Sequence, residues 1–154
     1  MKTALFPGTF DPFTLGHASV VRRGLALFDR IVIAIGVNDA KQTFFSMEER
    51  LKQVRACYTA EPRVEVCSYD GLTVECAREH DAIAILRGVR SLTDFEYERL
   101  LSDINLKISG IDTVCVFTEP ELASFQSNVV RDLLKHHQDV RAFVPEAMAE
   151  LLKK

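Results

Sequence analysis

The strongest constraint on the fold is a pair of short, almost entirely apolar runs, Arg30–Gly36 and Ala82–Leu86. Runs of this length without polar alternation are typical of strands buried on both faces, as in a parallel sheet covered by helices. Three further runs rich in β-branched residues also have strand length: Thr3–Phe6, Arg63–Cys67 and Thr113–Phe117. We therefore predict a sheet of five strands.

Longer amphipathic segments separate these runs. Apolar residues recur near helical spacing over His17–Phe28, and capping boxes at Ser46–Glu49 and Thr93–Glu96 predict two further helix starts. Asn128–His137 and Pro145–Lys153 also have helical patterns, with the proline suited to a first turn. Strand–helix alternation favours right-handed crossovers with helices on both faces. The predicted class is α/β, a Rossmann-like doubly wound parallel five-stranded sheet with C-terminal helices.

Composition narrows the function classes. A chain of 154 residues suggests one domain, 1–154, and is long enough to bury a core without disulfides or a structural metal. The net charge of −3 argues against a broad surface for duplex nucleic acid. No run approaches the length of a membrane span, and Pro7-Gly8 interrupts the opening segment before a signal-peptide core could form. We expect no nucleic-acid or membrane partner and a cytoplasmic location.

The four cysteines are Cys57, Cys67, Cys76 and Cys115. None forms a Cys-x-x-Cys pair, and no histidine lies at a metal-ligand spacing from any of them, so no metal site is predicted. We expect reduced, packed cysteines of a reducing compartment, with a redox role as the alternative.

In such folds ligands bind at the carboxyl ends of the strands, so the loops after the apolar runs are the candidate binding segments. The first loop, Phe6–His17, has neither the G-x-G-x-x-G nor the P-loop pattern, but it offers the Thr9 hydroxyl, the His17 ring and helix-start amides to an anion. The alternative for His17 is an ordinary helix-start residue. In the second loop, Lys41 is either a phosphate-binding charge or a solvated surface lysine.

The third loop contains two arginines, Arg87 and Arg90, placed directly after the fourth apolar run. Their guanidinium groups could bind phosphates or carboxylates of a ligand. They could equally form ion pairs with Asp94, Glu96 or Glu98. The pattern alone favours neither interpretation.

The fourth loop, Ser124–Arg131, opens a helix in which Ser127 or Asn128 would be the N-cap. The same polar helix start could be a second anion site. Four loops with phosphate-binding groups predict a crevice for more than one phosphorylated ligand. No catalytic triad, metal-ligand cluster or acid–base carboxylate pair is evident, which suits a nucleophile that is already ionised, such as a phosphate monoester.

The segment Thr14-Leu15-Gly16-His17 resembles the (His/Thr)-x-Gly-His signature of the nucleotidylyltransferase superfamily. Within it, the chain resembles the bacterial phosphopantetheine adenylyltransferases along essentially its whole length. The matching segments are Pro7–Pro12, Lys41, Glu48–Arg50, and Arg87–Arg90 followed by Asp94–Glu98. The last block is far more diagnostic than the superfamily signature.

This resemblance implies transfer of an adenylyl group from ATP to 4′-phosphopantetheine, giving dephospho-coenzyme A and pyrophosphate. It also implies Mg²⁺ with ATP, a homohexamer and coenzyme A as a feedback ligand.

The resemblance also implies residue roles. The catalytic set is His17, the transition-state stabiliser, with Lys41 and Arg90. The acceptor contacts are Thr9, Lys41, Thr73 and Arg87. The ATP contacts are Thr9, Phe10, His17, Gly88, Val89, Arg90, Glu98, Leu122, Ala123, Ser124, Phe125, Gln126, Ser127 and Asn128. The chain departs from the family where Gln126-Ser127-Asn128 replaces a serine run, and where Thr73 replaces a larger apolar residue.

Two alternatives remain. One is another small nucleotidylyltransferase, such as a cytidylyltransferase for an alcohol phosphate or an adenylyltransferase for a mononucleotide. The other is a non-catalytic nucleotide-binding module. An aminoacylating enzyme is disfavoured because the chain has no Lys-Met-Ser-Lys element and no basic extension.

Overall fold

Five parallel strands form one sheet in the order β3-β2-β1-β4-β5. The computed structural model describes residues 1–37, 40 and 42–153. The strands are β1 (Thr3–Gly8), β2 (Arg30–Gly36), β3 (Val64–Tyr69), β4 (Ala84–Val89) and β5 (Asp112–Phe117). The predicted α/β class and the parallel five-stranded sheet are confirmed.

The order of the strands places a topological switch point between β1 and β4. The chain winds outward from β1 through β2 to β3, then returns to add β4 beside β1 and β5 at the far edge. In open sheets of this kind, the crevice beyond the carboxyl ends at the switch point receives the ligand.

Helices connect the strands and cover both faces of the sheet. They are α1 (Leu15–Gly24), α2 (Met47–Cys57), α3 (Thr73–Glu79), α4 (Leu92–Ser109), α5 (Ser127–Lys135) and α6 (Glu146–Ala149). Short 3₁₀ turns follow at Pro120–Leu122 and Glu150–Leu152.

Alternate residues of the central strands enter two separate cores. Phe6 on β1 and Ile33 on β2 face the larger core, which α1, α2, α5 and α6 complete. Leu5 and Val32 face the smaller core beneath α3. Strand β2 is buried along almost its whole length, as its continuous apolar run predicts.

Most of the other predicted boundaries differ from the structure by one or two residues, and the larger differences lie at the fourth strand, the first helix and the final helix. The fourth strand begins at Ala84 and extends through Arg87 to Val89, so Arg87 lies within the strand and not after it; Ile83 is exposed. The first helix ends at Gly24, although Phe28 still enters the core.

Of the two capping boxes predicted from the sequence, one is confirmed and one is wrong. The capping box at Ser46 and Glu49 is confirmed, with both reciprocal hydrogen bonds present. The box predicted at Thr93 is wrong, because Ser91 caps α4 by accepting a hydrogen bond from the amide of Asp94. Pro145 is the N-cap of a final helix that covers only Glu146–Ala149 before it tightens into a 3₁₀ turn.

All four cysteines are free, but Cys115 on β5 is exposed rather than packed as predicted. Within the described ranges, no helix combines the length and the apolar character needed to cross a membrane.

Candidate active site

Two adjoining cavities open at the carboxyl ends of β1 and β4, where the strand order predicts a ligand crevice. Their volumes are about 240 and about 250 Å³. The first, the switch-point cavity, is lined by the loop after β1, by the starts of α1 and α5, and by the arginine segment of β4. The second, the α4 cavity, lies between β1, Tyr69, Thr73 and one face of α4. Both are lined by Pro7, Gly8, Thr9, Arg87 and Glu98.

The first turn of α1 positions His17. Thr14 is the N-cap, and its backbone N–H donates to Nδ1 of His17 at 2.9 Å. The amide of His17 in turn donates to the Thr14 hydroxyl at 3.4 Å. The rings of Phe6, Phe10 and Phe13 surround the imidazole, with Phe10 edge-on at a centroid distance of 5.0 Å. The ring is therefore fixed by a hydrogen bond and by aromatic packing.

These surroundings also determine the charge of His17. Burial, followed by the nearby positive charges of Arg90 and Arg87, lowers the pKa of His17 from 6.5 to about 3. The ring is neutral near pH 7. Because Nδ1 accepts a hydrogen bond, the proton of the neutral ring lies on Nε2. His17 can donate one hydrogen bond to a ligand oxygen in the switch-point cavity, which it lines.

A buried arginine stabilises the loop after β1 through a hydrogen bond. Arg50 of α2 donates from Nη1 to the carbonyl of Thr9 at 2.8 Å and from Nε to the carbonyl of Phe45 at 3.2 Å. The Asp11 carboxylate accepts the amides of Phe44 and Phe45 at 2.8 and 2.9 Å. Burial lowers the pKa of Arg50, and the Asp11 charge opposes that shift. These bonds fix the loop that carries Thr9.

Helix α5 also stabilises this loop through hydrogen bonds. The Ser127 hydroxyl donates to the carbonyl of Pro12 at 2.8 Å, and Arg131 donates to the carbonyl of Asp11, also at 2.8 Å. The prediction that Ser127 or Asn128 caps this helix is wrong, because the N-cap is Gln126, without a side-chain hydrogen bond. The serine hydroxyl is used for a tertiary contact instead.

Two of the helix starts beside the switch-point cavity, those of α1 and α5, lack acidic residues, whereas the first turn of α4 adds Asp94 to the same lining. Gly16, His17 and Ser127, from the first turns of α1 and α5, line this cavity, and neither first turn contains an acidic residue. The first turns of α2 and α3 contain Glu48 and Glu75. A helix N-terminus carries partial positive charge, which an acidic residue would offset. The starts of α1 and α5 are thus left available to an anion.

The two arginines of the diagnostic block form ion pairs. Arg87 donates from Nε and Nη2 to the two oxygens of Glu98, each at 2.7 Å, and from Nη1 to the carbonyl of Pro7 at 2.7 Å. Arg90 donates to Asp94 at 3.0 Å. The ion-pair alternative therefore holds for both. It leaves ligand contact open, because a guanidinium has five N–H donors and Arg87 uses three of them here.

The close packing of α1 against β4 explains why residue 88 is a glycine. A Cβ atom at this position would lie 2.6 Å from Cγ2 of Val20, so only glycine permits α1 to approach β4 this closely. The adjacent Val89 is buried. Gly88 lines the switch-point cavity, whereas Val89 is not part of its lining.

The structure brings most predicted acceptor residues together. Thr9, Thr73 and Arg87 all line the α4 cavity, and the Thr73 hydroxyl lies 3.0 Å from the Tyr69 hydroxyl. Lys41, predicted for both acceptor binding and catalysis, lies outside the described residues.

The predicted ATP residues fall into two groups. Those that line the switch-point cavity are Thr9, Phe10, His17, Gly88, Arg90, Glu98, Phe125 and Ser127. Those outside its lining are Val89, Leu122, Ala123, Ser124, Gln126 and Asn128. The carbonyls of Leu122 and Phe125 lie 3.6 Å from the Cβ position of Gly16, so this segment passes close to the start of α1.

Sequence reasoning missed several lining residues. Arg131 lies four residues after Ser127 and lines the switch-point cavity, a helical spacing that could have indicated it. Tyr97, Leu101 and Asn105 recur every four residues on α4 and line the α4 cavity. This spacing is helical, but by itself it does not distinguish a binding surface from any other face of the helix.

Each acidic residue among the described lining of the switch-point cavity already has a partner. Asp11 accepts two amides, Asp94 pairs with Arg90, and Glu98 pairs with Arg87. Mg²⁺ prefers oxygen ligands, commonly one or two carboxylates together with substrate phosphates. These residues do not provide an uncommitted carboxylate for a dedicated magnesium site.

Comparison with known proteins agrees with this geometry. Residues 5–143 match the cytidylyltransferase-like family model. The chain is 51% identical to the phosphopantetheine adenylyltransferase of Bacteroides fragilis, over 96% of this chain and 99% of that protein. It is 45% identical to the protein of that name from Flavobacterium johnsoniae, over 96% of this chain and 97% of that one.

A more distant solved structure shares the fold. It is a bifunctional NMN adenylyltransferase/ADP ribose pyrophosphatase from Francisella tularensis, complexed with AMP and a Mn ion. The TM-score is 0.71 at 15% identity, over 93% of this chain and 44% of that one. The identity and coverage of the bacterial relatives show that the chain belongs to the phosphopantetheine adenylyltransferase family of nucleotidyltransferases.

Proposed function

We propose that the protein transfers the adenylyl group of ATP to 4′-phosphopantetheine, forming dephospho-coenzyme A and pyrophosphate. The observation that carries the proposal is the junction of two cavities at Thr9 and Arg87, beside a neutral histidine. ATP occupies the switch-point cavity, and the phosphopantetheine arm occupies the α4 cavity. Their phosphates meet where the lining residues are shared.

The reaction proceeds by direct in-line attack. An oxygen of the acceptor phosphate forms a bond to the α-phosphorus of ATP, and the bond from that phosphorus to the bridging oxygen of the β-phosphate breaks. A phosphate monoester has a second pKa near 6, so the nucleophile is ionised at neutral pH without a general base. The enzyme must chiefly position the two phosphates and stabilise charge.

His17 stabilises the transition state as a hydrogen-bond donor. Negative charge builds on the non-bridging oxygens of the α-phosphate as the nucleophile arrives, and an N–H directed at them gains strength at that moment. With its pKa lowered to about 3, His17 neither takes nor gives a proton near pH 7. Arg90 also lines this cavity and supplies positive charge.

Mg²⁺ would accompany ATP in this proposal as part of the nucleotide substrate, since the described carboxylates offer no cage for it. When bound, it would neutralise charge on the phosphates. This agrees with the pairing of Asp11, Asp94 and Glu98 to other groups.

We also propose a homohexamer, supported by the exposed apolar side of α4. Leu100, Ile104 and Ile108 recur every four residues on this helix and are exposed, as are Leu92 and Phe95 elsewhere on it. An apolar surface of this kind is typical of a protein–protein contact.

We propose coenzyme A as a feedback ligand. Because it contains both the phosphopantetheine arm and an adenine nucleotide, it would bind the same two cavities. The location proposed for the protein is the cytoplasm, since free cysteines suit a reducing compartment.

The test is a substrate panel with pyrophosphate release as the readout and mass spectrometry of the product. Release with ATP plus phosphopantetheine, and not with ATP plus nicotinamide mononucleotide or CTP plus glycerol phosphate, supports the proposal. Release with another pair would reassign the substrates. Saturable ATP binding with no release from any pair would make the protein a nucleotide-binding module.

A further inference from the structure

Three potential metal ligands come together on the side of the sheet covered by α3. Sγ of Cys67, Sγ of Cys76 and a ring nitrogen of His80 all lie within 4.8 Å of one another. Cys67 belongs to β3, Cys76 lies on α3, and His80 is the C-cap of that helix. None of the three lines the switch-point cavity or the α4 cavity.

This grouping corrects the expectation that no histidine stands at a metal-ligand position from a cysteine. Cys76 and His80 are four residues apart, so the last turn of α3 places them on one face. Cys67 joins them because β3 leads directly into α3 and the helix packs back on the sheet. The short connection, not a recognised motif, assembles the cluster.

The spacing of the three atoms suits a tetrahedral ion. With Zn–S near 2.3 Å and Zn–N near 2.0 Å, ligand atoms around zinc lie about 3.4–3.8 Å apart. Atoms within 4.8 Å of one another need to move by only about 1 Å to reach that geometry.

The surroundings favour a shielded but accessible ion. Cys76 is buried, while Cys67 and His80 are partly exposed. Nδ1 of His80 lies 3.3 Å from Oε1 of Glu65, which also pairs with Arg30. A carboxylate beside a ligating histidine commonly fixes the orientation of its ring.

We propose that Cys67, Cys76 and His80 form a binding site for Zn²⁺, with the fourth coordination position taken by water. Thiolate and imidazole ligands select a thiophilic ion and disfavour Mg²⁺, which prefers oxygen. The site is separate from adenylyl transfer and does not depend on that proposed function. Its ion joins α3 to β3.

Cobalt provides a direct probe, because thiolate-bound tetrahedral Co²⁺ absorbs in the visible and near-ultraviolet. The full chain is reduced, freed of metal and titrated with Co²⁺, then with Zn²⁺. One equivalent of Co²⁺ should produce these bands, and Zn²⁺ should abolish them. At free Zn²⁺ about 100-fold above Kd, the Tm should rise by roughly 5–10 °C.

Variants identify the ligands. Cys67→Ser, Cys76→Ser and His80→Ala should each weaken Co²⁺ binding by at least about 100-fold, and Glu65→Gln by about 10-fold. Cys115→Ser and His136→Ala, an exposed cysteine and an exposed histidine outside the cluster, should bind as the parent does. Circular dichroism checks each fold; should the buried Cys76 variant unfold, Cys67→Ser and His80→Ala decide.

The proposal is overturned by the absence of thiolate bands in the parent protein. Equal binding by folded Cys67→Ser and His80→Ala also overturns it, as does loss of binding in Cys115→Ser or His136→Ala alone.

Discussion

His17 combines a structural and a functional role in one side chain. Its Nδ1 accepts the Thr14 amide and completes a capping box at the start of α1, so the interpretation as a helix-start residue is correct as far as it goes. The same bond leaves Nε2 as the protonated nitrogen beside the cavity. One ring nitrogen therefore serves the helix start, and the other keeps the proton that a ligand oxygen could accept in a hydrogen bond.

We predict that His17→Ala lowers kcat by about 10²–10³-fold, the usual effect of losing one transition-state donor. The Kd values for ATP and phosphopantetheine should move by less than about tenfold, because the donor acts chiefly in the transition state. Single-turnover rates and calorimetric binding on the same variant measure both.

The matched control is Ser46→Ala, which removes a comparable capping box from α2 outside the two cavities. Both variants should lose about 1 kcal/mol of stability from the cap, but only His17→Ala should lose turnover. A folded His17→Ala protein with normal kcat would contradict the proposed role.

The lowered pKa of His17 also predicts a pH dependence of stability. Between its folded pKa of about 3 and the ordinary value of 6.5, the unfolded chain binds a proton at His17 that the folded chain does not. Stability from this residue is therefore complete above pH 6.5 and falls as the pH drops below it. Between pH 8 and pH 5 the loss is about 2 kcal/mol.

The comparison variant is His17→Gln, since glutamine can complete a capping box but does not titrate. Urea unfolding of both proteins at pH 8 and pH 5 gives the difference. The parent should lose more stability than the variant; equal losses would show that His17 does not carry the effect.

Arg87 stands between the two cavities and pairs with a nearly buried carboxylate. The side chain of Glu98 is 8% exposed and that of Arg87 is 26% exposed. Replacing Arg87 by alanine would leave the Glu98 charge buried alone, which costs about 3–5 kcal/mol. Arg87→Lys retains the charge and removes the forked geometry, so it is the better test.

We expect Arg87→Lys to raise the KM for phosphopantetheine by at least about tenfold, because lysine cannot bind Glu98 and a phosphate in the same forked way. The Kd for ATP should change little. Steady-state kinetics and ATP titration on a variant of checked thermal stability separate the two. Equal weakening of both ligands would show that Arg87 does not discriminate between them.

Helix α5 begins without a side-chain cap, so it shows what the backbone amides of a helix start can contribute to anion binding. Gln126 caps the helix without a side-chain bond, and Ser127 is committed to the carbonyl of Pro12. Any anion site here must rest chiefly on backbone amides, which are present whatever the side chains are.

The double variant Gln126→Ser with Asn128→Ser should therefore change kcat/KM for ATP by less than about tenfold, since it leaves those amides in place. Ser127→Ala removes the bond to the loop after β1 and should have the larger effect on the KM for ATP. Kinetics with ATP as the varied substrate rank the two. A large gain in the double variant would mean that the native side chains impair this site.

The strands and helices also show how far a local sequence pattern can predict the structure. The buried run of β2 and the Ser46 box are local signals, and both are confirmed. Ser91 and Thr93 offer two hydroxyls near one helix start, and the extension of β4 to Val89 leaves Ser91 as the cap. Helix α3 has only seven residues, too few for a clear period.

The bracing of the site could not be predicted from spacing. Arg50 reaches Thr9 across 41 positions, and Arg131 reaches Asp11 across 120. Such contacts depend on which helices the sheet brings beside the loop. The resemblance could indicate the residues of the site, whereas the hydrogen bonds that hold them required the three-dimensional structure.

On the surface of the molecule, the most prominent apolar feature is a group of exposed side chains on α4. Along α4 only Glu98 is buried, and the side of the helix that contains Leu100, Ile104 and Ile108 is exposed. Helix α4 packs on β4 and β5, and Phe117 at the end of this edge strand is also exposed. A homohexamer would cover such a surface, and its neighbour, the α4 cavity, would then lie close to a subunit contact.

We predict that Leu100→Glu dissociates the assembly, because a carboxylate placed in an apolar contact must be desolvated without a partner. Leu27→Glu is the matched control: Leu27 is 56% exposed, against 58% for Leu100, and follows α1 on another part of the surface. Sedimentation velocity should show a hexamer for the parent and for Leu27→Glu, and a smaller species for Leu100→Glu. Dissociation by both substitutions would point to a general effect of surface charge, and a monomeric parent would remove the hexamer proposal.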